Sequence, residues 1–173
     1  FKEEEKMLYN MKDIVAVAKE HKFAIPAFNI SSWPMFIGIM DLCEETNSPV
    51  IIEIHPDELS FTTADFMPSI RERAMKSKVP VCIHLDHCGD FGKIIYAIQA
   101  GFTSVMFDGA ELSFEDNIAG AKKVVEAAHP ANVSVEAELG TIGSTNPADL
   151  EGGSAKIIYT DPDDAKKFVE ATG

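Results

Sequence analysis

The segment HLDHCGD, residues 84–90, holds two histidines, two aspartates and a cysteine, and it follows the apolar run VPVCI. Imidazole and thiolate groups bind zinc, and a suitably placed carboxylate can take up or release a proton during a reaction. Charged groups are costly to bury unless they are paired or bound to a metal. The segment therefore predicts a metal-binding or acid–base site at the end of a buried strand.

Polar residues also stand at the ends of the other predicted strands. They are Asn29 after the first strand, Glu53, His55 and Asp57 on the second, Asp108 on the fourth, and Glu136 and Glu138 on the fifth. A single aspartate in such a place usually caps a helix or a turn, which is what we expect of Asp57 and Asp90. The repetition over five strands favours a shared site instead, and a divalent cation would hold its mutually repelling carboxylates together.

Strands and helices alternate along the chain. Strands are predicted over 24–30, 49–55, 79–85, 103–108 and 133–139, and helices over 10–23, 32–47, 63–77, 91–100, 113–129 and 161–171. Expected N-caps are Asn10, Ser32, Thr63, Ser113 and Asp161, and Gly101 is an expected C-terminal cap. Continuously apolar strands between helices predict an α/β fold with a parallel sheet that is covered on both faces.

Two parallel architectures fit this order of elements. One is an open, doubly wound sheet, and the other is a (β/α)8 TIM barrel. The regular winding and the absence of a G-x-G-x-x-G fingerprint favour the barrel. Since a whole barrel takes about 250 residues, we expect residues 1–173 to form a single domain that contains only the first five βα units.

The composition bounds the possible partners. The chain has 173 residues, 46% hydrophobic and 25% charged, with a formal net charge of −13. Such acidity disfavours binding to nucleic acid or to an anionic membrane surface, and no apolar run is long enough to span a bilayer. The three cysteines lack the spacing of a disulfide framework, which is typical of a reduced, cytoplasmic protein.

Strand alternation predicts which side chains share a face. His84 and Asp86 are two residues apart and should point the same way, as should Glu136 and Glu138. His87 should point elsewhere unless the strand has ended, which the nearby Gly89 suggests. Cys88 lies beyond the predicted strand and has no second cysteine at C-x2-C spacing, so we expect it to be a bystander.

Three blocks of sequence resemble the class II, metal-dependent ketose-bisphosphate aldolases. They are VPVCIHLDHCGD, AIQAGFTSVMFDGAELSFEDNI and SVEAELGTIG, and they occur in the order and spacing of that family. The runs AIPAFNI and SPVIIEIHP also match the family's first two strands. The resemblance extends from about residue 8 to residue 173. It implies a TIM barrel and reversible, zinc-dependent cleavage of fructose or tagatose 1,6-bisphosphate to dihydroxyacetone phosphate and glyceraldehyde 3-phosphate, a glycolytic lyase reaction.

The resemblance also implies roles for individual residues. His87 resembles a ligand of the catalytic Zn2+, and Asp108 and Glu138 resemble ligands of a second or alternative cation position. Asp86 resembles the group that exchanges a proton with the substrate hydroxyl, and Asn29 resembles a substrate contact near the phosphate end. Two further residues, His84 and Glu136, are expected to support these groups from behind.

Some parts of the family pattern are not matched. The resemblance implies two further zinc histidines on later strands. Asp149 and Glu151 are both candidates for the residue that protonates the substrate carbon. We therefore expect the chain to be an N-terminal portion of a longer aldolase, a homodimer or homotetramer at full length, with little turnover on its own. The alternatives are a metal-dependent hydrolase on the same barrel and a non-catalytic α/β binding module.

Overall fold

A computed structural model describes residues 7–62, 64–141 and 157–173. Five parallel strands form one sheet in the order β1-β2-β3-β4-β5. They are β1 (Ala27–Asn29), β2 (Val50–Ile54), β3 (Val81–Cys88), β4 (Ser104–Phe107) and β5 (Ser134–Ala137). Each strand pairs with the next one in the chain, as in a barrel, whereas a doubly wound sheet reverses its strand order at a switch point. The structure thus confirms the parallel α/β prediction and favours the barrel.

Helices follow the strands as expected. They are α1 (Met11–His21), α2 (Trp33–Glu45), α3 (Pro56–Thr62), α4 (Met67–Met75), α5 (Phe91–Ala100), α6 (Phe114–Ala128) and α7 (Pro162–Thr172), with 3-10 turns at Ala64–Phe66 and His129–Ala131. The side chains of Asn10, Ser113 and Asp161 accept hydrogen bonds from the first turns of α1, α6 and α7, which confirms these three caps. Ser32 precedes α2 but its side chain makes no capping bond, and Thr63 lies outside the described residues. Gly101 ends α5 in the left-handed conformation. No helix in the described ranges is long and apolar enough to cross a bilayer.

One prediction of secondary structure was wrong. A single helix was expected over 63–77, but α3 begins directly after β2 and is joined to α4 by a 3-10 turn. Pro56 stands at the first position of α3, and Asp57 and Glu58 lie in its first turn, which are favourable residues at a helix start. The short helix therefore begins at the site edge of the sheet, in a stretch to which no helix was assigned from the sequence.

The two faces of the sheet have different tasks. One face packs against the helices and forms the main core, with Phe36, Ile52, Ile83 and Phe102 among its fully buried side chains. On the other face a small cluster of Ile51, Cys82 and Ile14 lies near the amino ends of the strands, where α1 covers it. The polar residues stand on this second face, one or two pleats closer to the carboxyl ends.

Candidate active site

The end of β3 is irregular. Its pairing with β4 shifts by one residue between Leu85 and Cys88, and His87 within the shift has a left-handed backbone with φ 44°. One extra residue in a strand is a β-bulge, which interrupts the alternation of side chains. His87 and Asp86 are therefore both on the polar face, with His87 Nε2 3.9 Å from Asp86 Oδ1. The prediction that the strand ends before His87 was wrong; the strand continues and bulges.

His87 is surrounded by two carboxylates from the next two strands. Its Nδ1 lies 2.9 Å from Asp108 Oδ2 and 3.5 Å from Glu138 Oε2. The other oxygen of Asp108 accepts a hydrogen bond from the amide of Ala110, at 3.2 Å, so that Oδ2 is left to face the histidine. Nitrogen and oxygen atoms of the three side chains all lie within 4.8 Å of one another, close enough to ligate one metal ion.

Asp86 is held by an amide from the first strand. Asn29 Nδ2 donates to Asp86 Oδ2 at 2.9 Å and more weakly to Glu53 Oε2 at 3.4 Å. Both hydrogens of this amide are thus used on carboxylates, and only its oxygen is left for a substrate. The carboxylate of Asp86 is mostly buried, with 15% of the side chain exposed, so its position is well defined before any ligand binds.

His84 lies behind these groups and is fully buried. Its Nδ1 is 2.8 Å from the hydroxyl of Ser104, and its Nε2 is 3.5 Å from Glu136 Oε2. Burial lowers the pKa of His84 to about 4, so the ring is neutral. In the neutral tautomer whose Nδ1 accepts from the Ser104 hydroxyl, Nε2–H faces the Glu136 carboxylate. With both nitrogens occupied, His84 is a poor metal ligand even though it lies near Glu53 and Asp86.

The charges of the site favour a cation at His87. Burial raises the pKa of Glu138, and so, to a smaller extent, does the nearby Asp108 carboxylate. The hydrogen bond to Asp108 raises the pKa of His87. Either a proton on the imidazole or a bound metal ion would offset the negative charge of the two carboxylates, since each places positive charge between the ring and the carboxylates. Imidazole with two carboxylates is a donor set that zinc accepts, so these residues fit the expected metal.

Several other predicted residues lie elsewhere. His55 is partly exposed and faces Asp57 at 3.7 Å rather than the cluster. The thiol of Cys88 is buried, and burial raises its pKa, which does not suit a zinc thiolate. The candidate proton donors Asp149 and Glu151 lie outside the described residues. Ser104 was missed; it stands level with His84 on the neighbouring strand, a register that the pairing of β3 with β4 sets.

Comparisons with known proteins agree with this geometry. A profile of the class-II fructose-bisphosphate aldolases matches residues 9–173. The chain belongs to the class-II fructose-bisphosphate aldolase family. The fructose-bisphosphate aldolase of Staphylococcus aureus is 39% identical over 170 residues, which cover 96% of this chain and 58% of that protein. The fructose-bisphosphate aldolase of Giardia intestinalis is 36% identical over 168 residues, which cover 96% of this chain and 51% of that protein.

Solved structures place the fold in the same aldolase family. The crystal structure of the YdjI aldolase from Escherichia coli K12 superimposes with a TM-score of 0.82 at 35% identity, covering 96% of this chain and 62% of that one. The chain thus spans a little over half the length of the aldolases that it matches. The fold and the family are established by these comparisons, and the five parallel strands are those of a partial aldolase barrel.

Proposed function

We propose that this chain carries the acid–base group and one zinc-binding cluster of an aldolase that reversibly cleaves a ketose 1,6-bisphosphate to dihydroxyacetone phosphate and glyceraldehyde 3-phosphate. The sugar is fructose or tagatose bisphosphate. The observation that carries the proposal is the arrangement around the β3 bulge, where Asp86 lies beside His87 and His87 lies against Asp108 and Glu138. Family membership supports the reaction class.

The metal would be held at His87, Asp108 and Glu138, with further ligands from other parts of the full-length protein. A zinc ion held there would supply Lewis-acid chemistry, drawing electron density from the substrate carbonyl. A second divalent or a monovalent cation could share the acidic face. Behind the reacting groups, the buried, neutral ring of His84 is held by Ser104 and lies 3.5 Å from the half-exposed carboxylate of Glu136.

Asp86 performs the proton transfer. In the cleavage direction its carboxylate takes the proton of the C4 hydroxyl, the C4 oxygen becomes the aldehyde oxygen, and the electron pair of the C3–C4 bond goes to C3. C3 then takes a proton from a separate acid, for which Asp149 and Glu151 are the candidates. In the reverse direction Asp86 returns the proton to the new hydroxyl. Asn29 holds Oδ2, so Oδ1 is the oxygen available for the transfer. No lysine Schiff base is required.

Retro-aldol assays of the full-length protein test the proposal. We expect cleavage of one or both sugar bisphosphates that is lost on treatment with a chelator and restored by zinc. Asp86→Asn keeps the size of the side chain and its contact with Asn29 but removes the base, so kcat should fall by about 10²- to 10⁴-fold. The 173 residues alone should show little turnover, because they contain one of the expected zinc histidines.

The matched control is Asp57→Asn. It makes the same chemical change in the first turn of α3, just after the neighbouring strand β2, on a side chain that is 87% exposed, and we expect turnover like that of the unmodified protein. An Asp86→Asn enzyme with undiminished kcat would remove Asp86 from the mechanism and favour a role in binding. If neither sugar is cleaved with zinc restored, the aldolase assignment fails, and a metal-dependent hydrolase becomes the better hypothesis.

A further inference from the structure

Glu138 lies where the sheet no longer holds it. The β4–β5 ladder ends with Phe107 opposite Ala137, one residue before Glu138. Asp108, at the equivalent place on β4, is fixed twice, because its amide donates to the carbonyl of Cys88 at 3.1 Å and its Oδ1 accepts from a nearby amide. Glu138 therefore needs an anchor from outside the sheet if its carboxylate is to stay near His87.

Asn117 supplies that anchor from α6. Its Nδ2 donates to the carbonyl oxygen of Glu138 at 2.8 Å. Asn117 lies in the first turns of the helix, and its backbone N–H donates to the carbonyl oxygen of the N-cap Ser113 at 2.8 Å. A capped and packed helix start is a rigid support, so the bond fixes the backbone of Glu138 relative to the rest of the domain.

The oxygen of the Asn117 side-chain amide, Oδ1, has no hydrogen-bond partner among the described residues. The Asn117 residue is 2% exposed. Turning the amide over would put Oδ1 against the carbonyl of Glu138, so the orientation is fixed. A buried, unpaired carbonyl oxygen costs about 1–3 kcal/mol. An apolar side chain of similar size would avoid that cost, and only the bond to Glu138 distinguishes asparagine from it.

The same amide also lies against the other metal-binding strand. A Cβ atom added at Gly109, the residue after Asp108, would lie 2.8 Å from Asn117 Cγ and would also contact its Oδ1. The backbone next to Asp108 and the backbone of Glu138 thus meet the two sides of one buried side chain. Asn117 is the spacer between the two carboxylate-bearing strand ends.

We propose that Asn117 is a positioning residue, which holds the Glu138 carboxylate against His87 and Asp108 and so sets the affinity of this cluster for a divalent cation. The inference rests on the proposed metal site. It adds a requirement that lies on a helix and touches neither metal nor substrate. Partners that orient metal ligands from behind typically change affinity by about 10- to 100-fold when they are removed.

A double-mutant cycle on the full-length protein tests the inference, with zinc as the probe. Zinc affinity is measured on metal-stripped protein by competition with a chromophoric chelator, for the unmodified protein, Asn117→Leu, Glu138→Gln and the double variant. We expect Asn117→Leu to weaken zinc binding by about tenfold. We expect the same substitution to have little further effect in the Glu138→Gln background, because the group through which it acts is already lost.

Val124→Ala is the control for general destabilisation. Val124 is fully buried on the same helix, and its truncation should lower the unfolding midpoint while leaving zinc affinity unchanged. Equal affinities for Asn117→Leu and the unmodified protein, or an equal loss in both backgrounds, would overturn the positioning role while leaving the aldolase proposal intact. Failure of the unmodified protein to bind zinc would instead overturn the proposed metal site, and the inference with it.

Discussion

The neutral state of His84 makes a sharp prediction for stability at acid pH. The ring is buried between Ser104 and Glu136, and burial lowers its pKa from 6.5 to about 4. Below pH 6.5 the unfolded chain takes up a proton at this residue and the folded chain does not. The free energy of unfolding is therefore undiminished by His84 above pH 6.5 and falls as the pH drops towards 4.

The size of the effect follows from the two pKa values. One pKa unit corresponds to about 1.4 kcal/mol. When His84 is protonated in the unfolded chain and neutral in the folded chain, the free energy of unfolding is therefore lower by about 3 kcal/mol. His84→Asn removes this titration. The variant should be less stable than the unmodified protein at pH 7, because it loses packing and one hydrogen bond, but it should lose about 3 kcal/mol less between pH 7 and pH 4.

Urea unfolding of the metal-free, full-length protein at a series of pH values measures the difference. His21→Asn, at the exposed end of α1, controls for the loss of one histidine from the chain. Parallel stability curves for the unmodified protein and His84→Asn would show that His84 is protonated in the folded state as readily as in the unfolded one. That result would contradict the neutral, buried state of the His84 ring.

Two further predictions concern packing and charge on the helices. Glu44 accepts a hydrogen bond from Arg73 Nη1 at 2.7 Å, and this bond lowers the pKa of Glu44 to about 2. Glu44→Gln should therefore lower the free energy of unfolding by about 1–2 kcal/mol at pH 7 after solvent screening. In urea unfolding, the stability difference between the unmodified protein and the variant should shrink as the pH falls from 4.5 to about 2. Gly120→Ala would place a Cβ atom 2.6 Å from Phe107 Cε1 and should lower stability by about 1–3 kcal/mol. Gly38→Ala, with open space around it, should instead raise stability by up to about 1 kcal/mol. Thermal unfolding in which Gly120→Ala is the more stable of the two variants would contradict the contacts at Gly120.

Local signals were sufficient for much of the fold. Caps such as Asn10 and Ser113 act within three residues of themselves, and apolar runs marked each strand, so the five βα units follow from the sequence. The short helix α3 was missed because seven residues carry too little periodicity to distinguish a helix from a loop. Its proline and acidic start were the available signal.

The candidate site could be placed but not fully built from the sequence. Two-residue alternation correctly put His84 with Asp86, since both lie on the polar face of the sheet. The bulge at His87 arises from the pairing of β3 with β4, a contact between segments about 20 residues apart, and no local pattern encodes it. Asn117 was missed for a similar reason, because its partner lies on β5 and nothing in the helix itself marks it.

The bulge in β3 also has a consequence for protein engineering. Because the register shift lies between Leu85 and Cys88, the regular, mostly apolar part of the strand ends before the bulge that carries Asp86 and His87. We therefore expect volume-conserving substitutions at Val81 or Ile83 to alter the core without turning Asp86 or His87. Transplanting the pair into another parallel barrel would require its extra residue and its left-handed backbone as well, since two adjacent residues of a regular strand face opposite sides of the sheet.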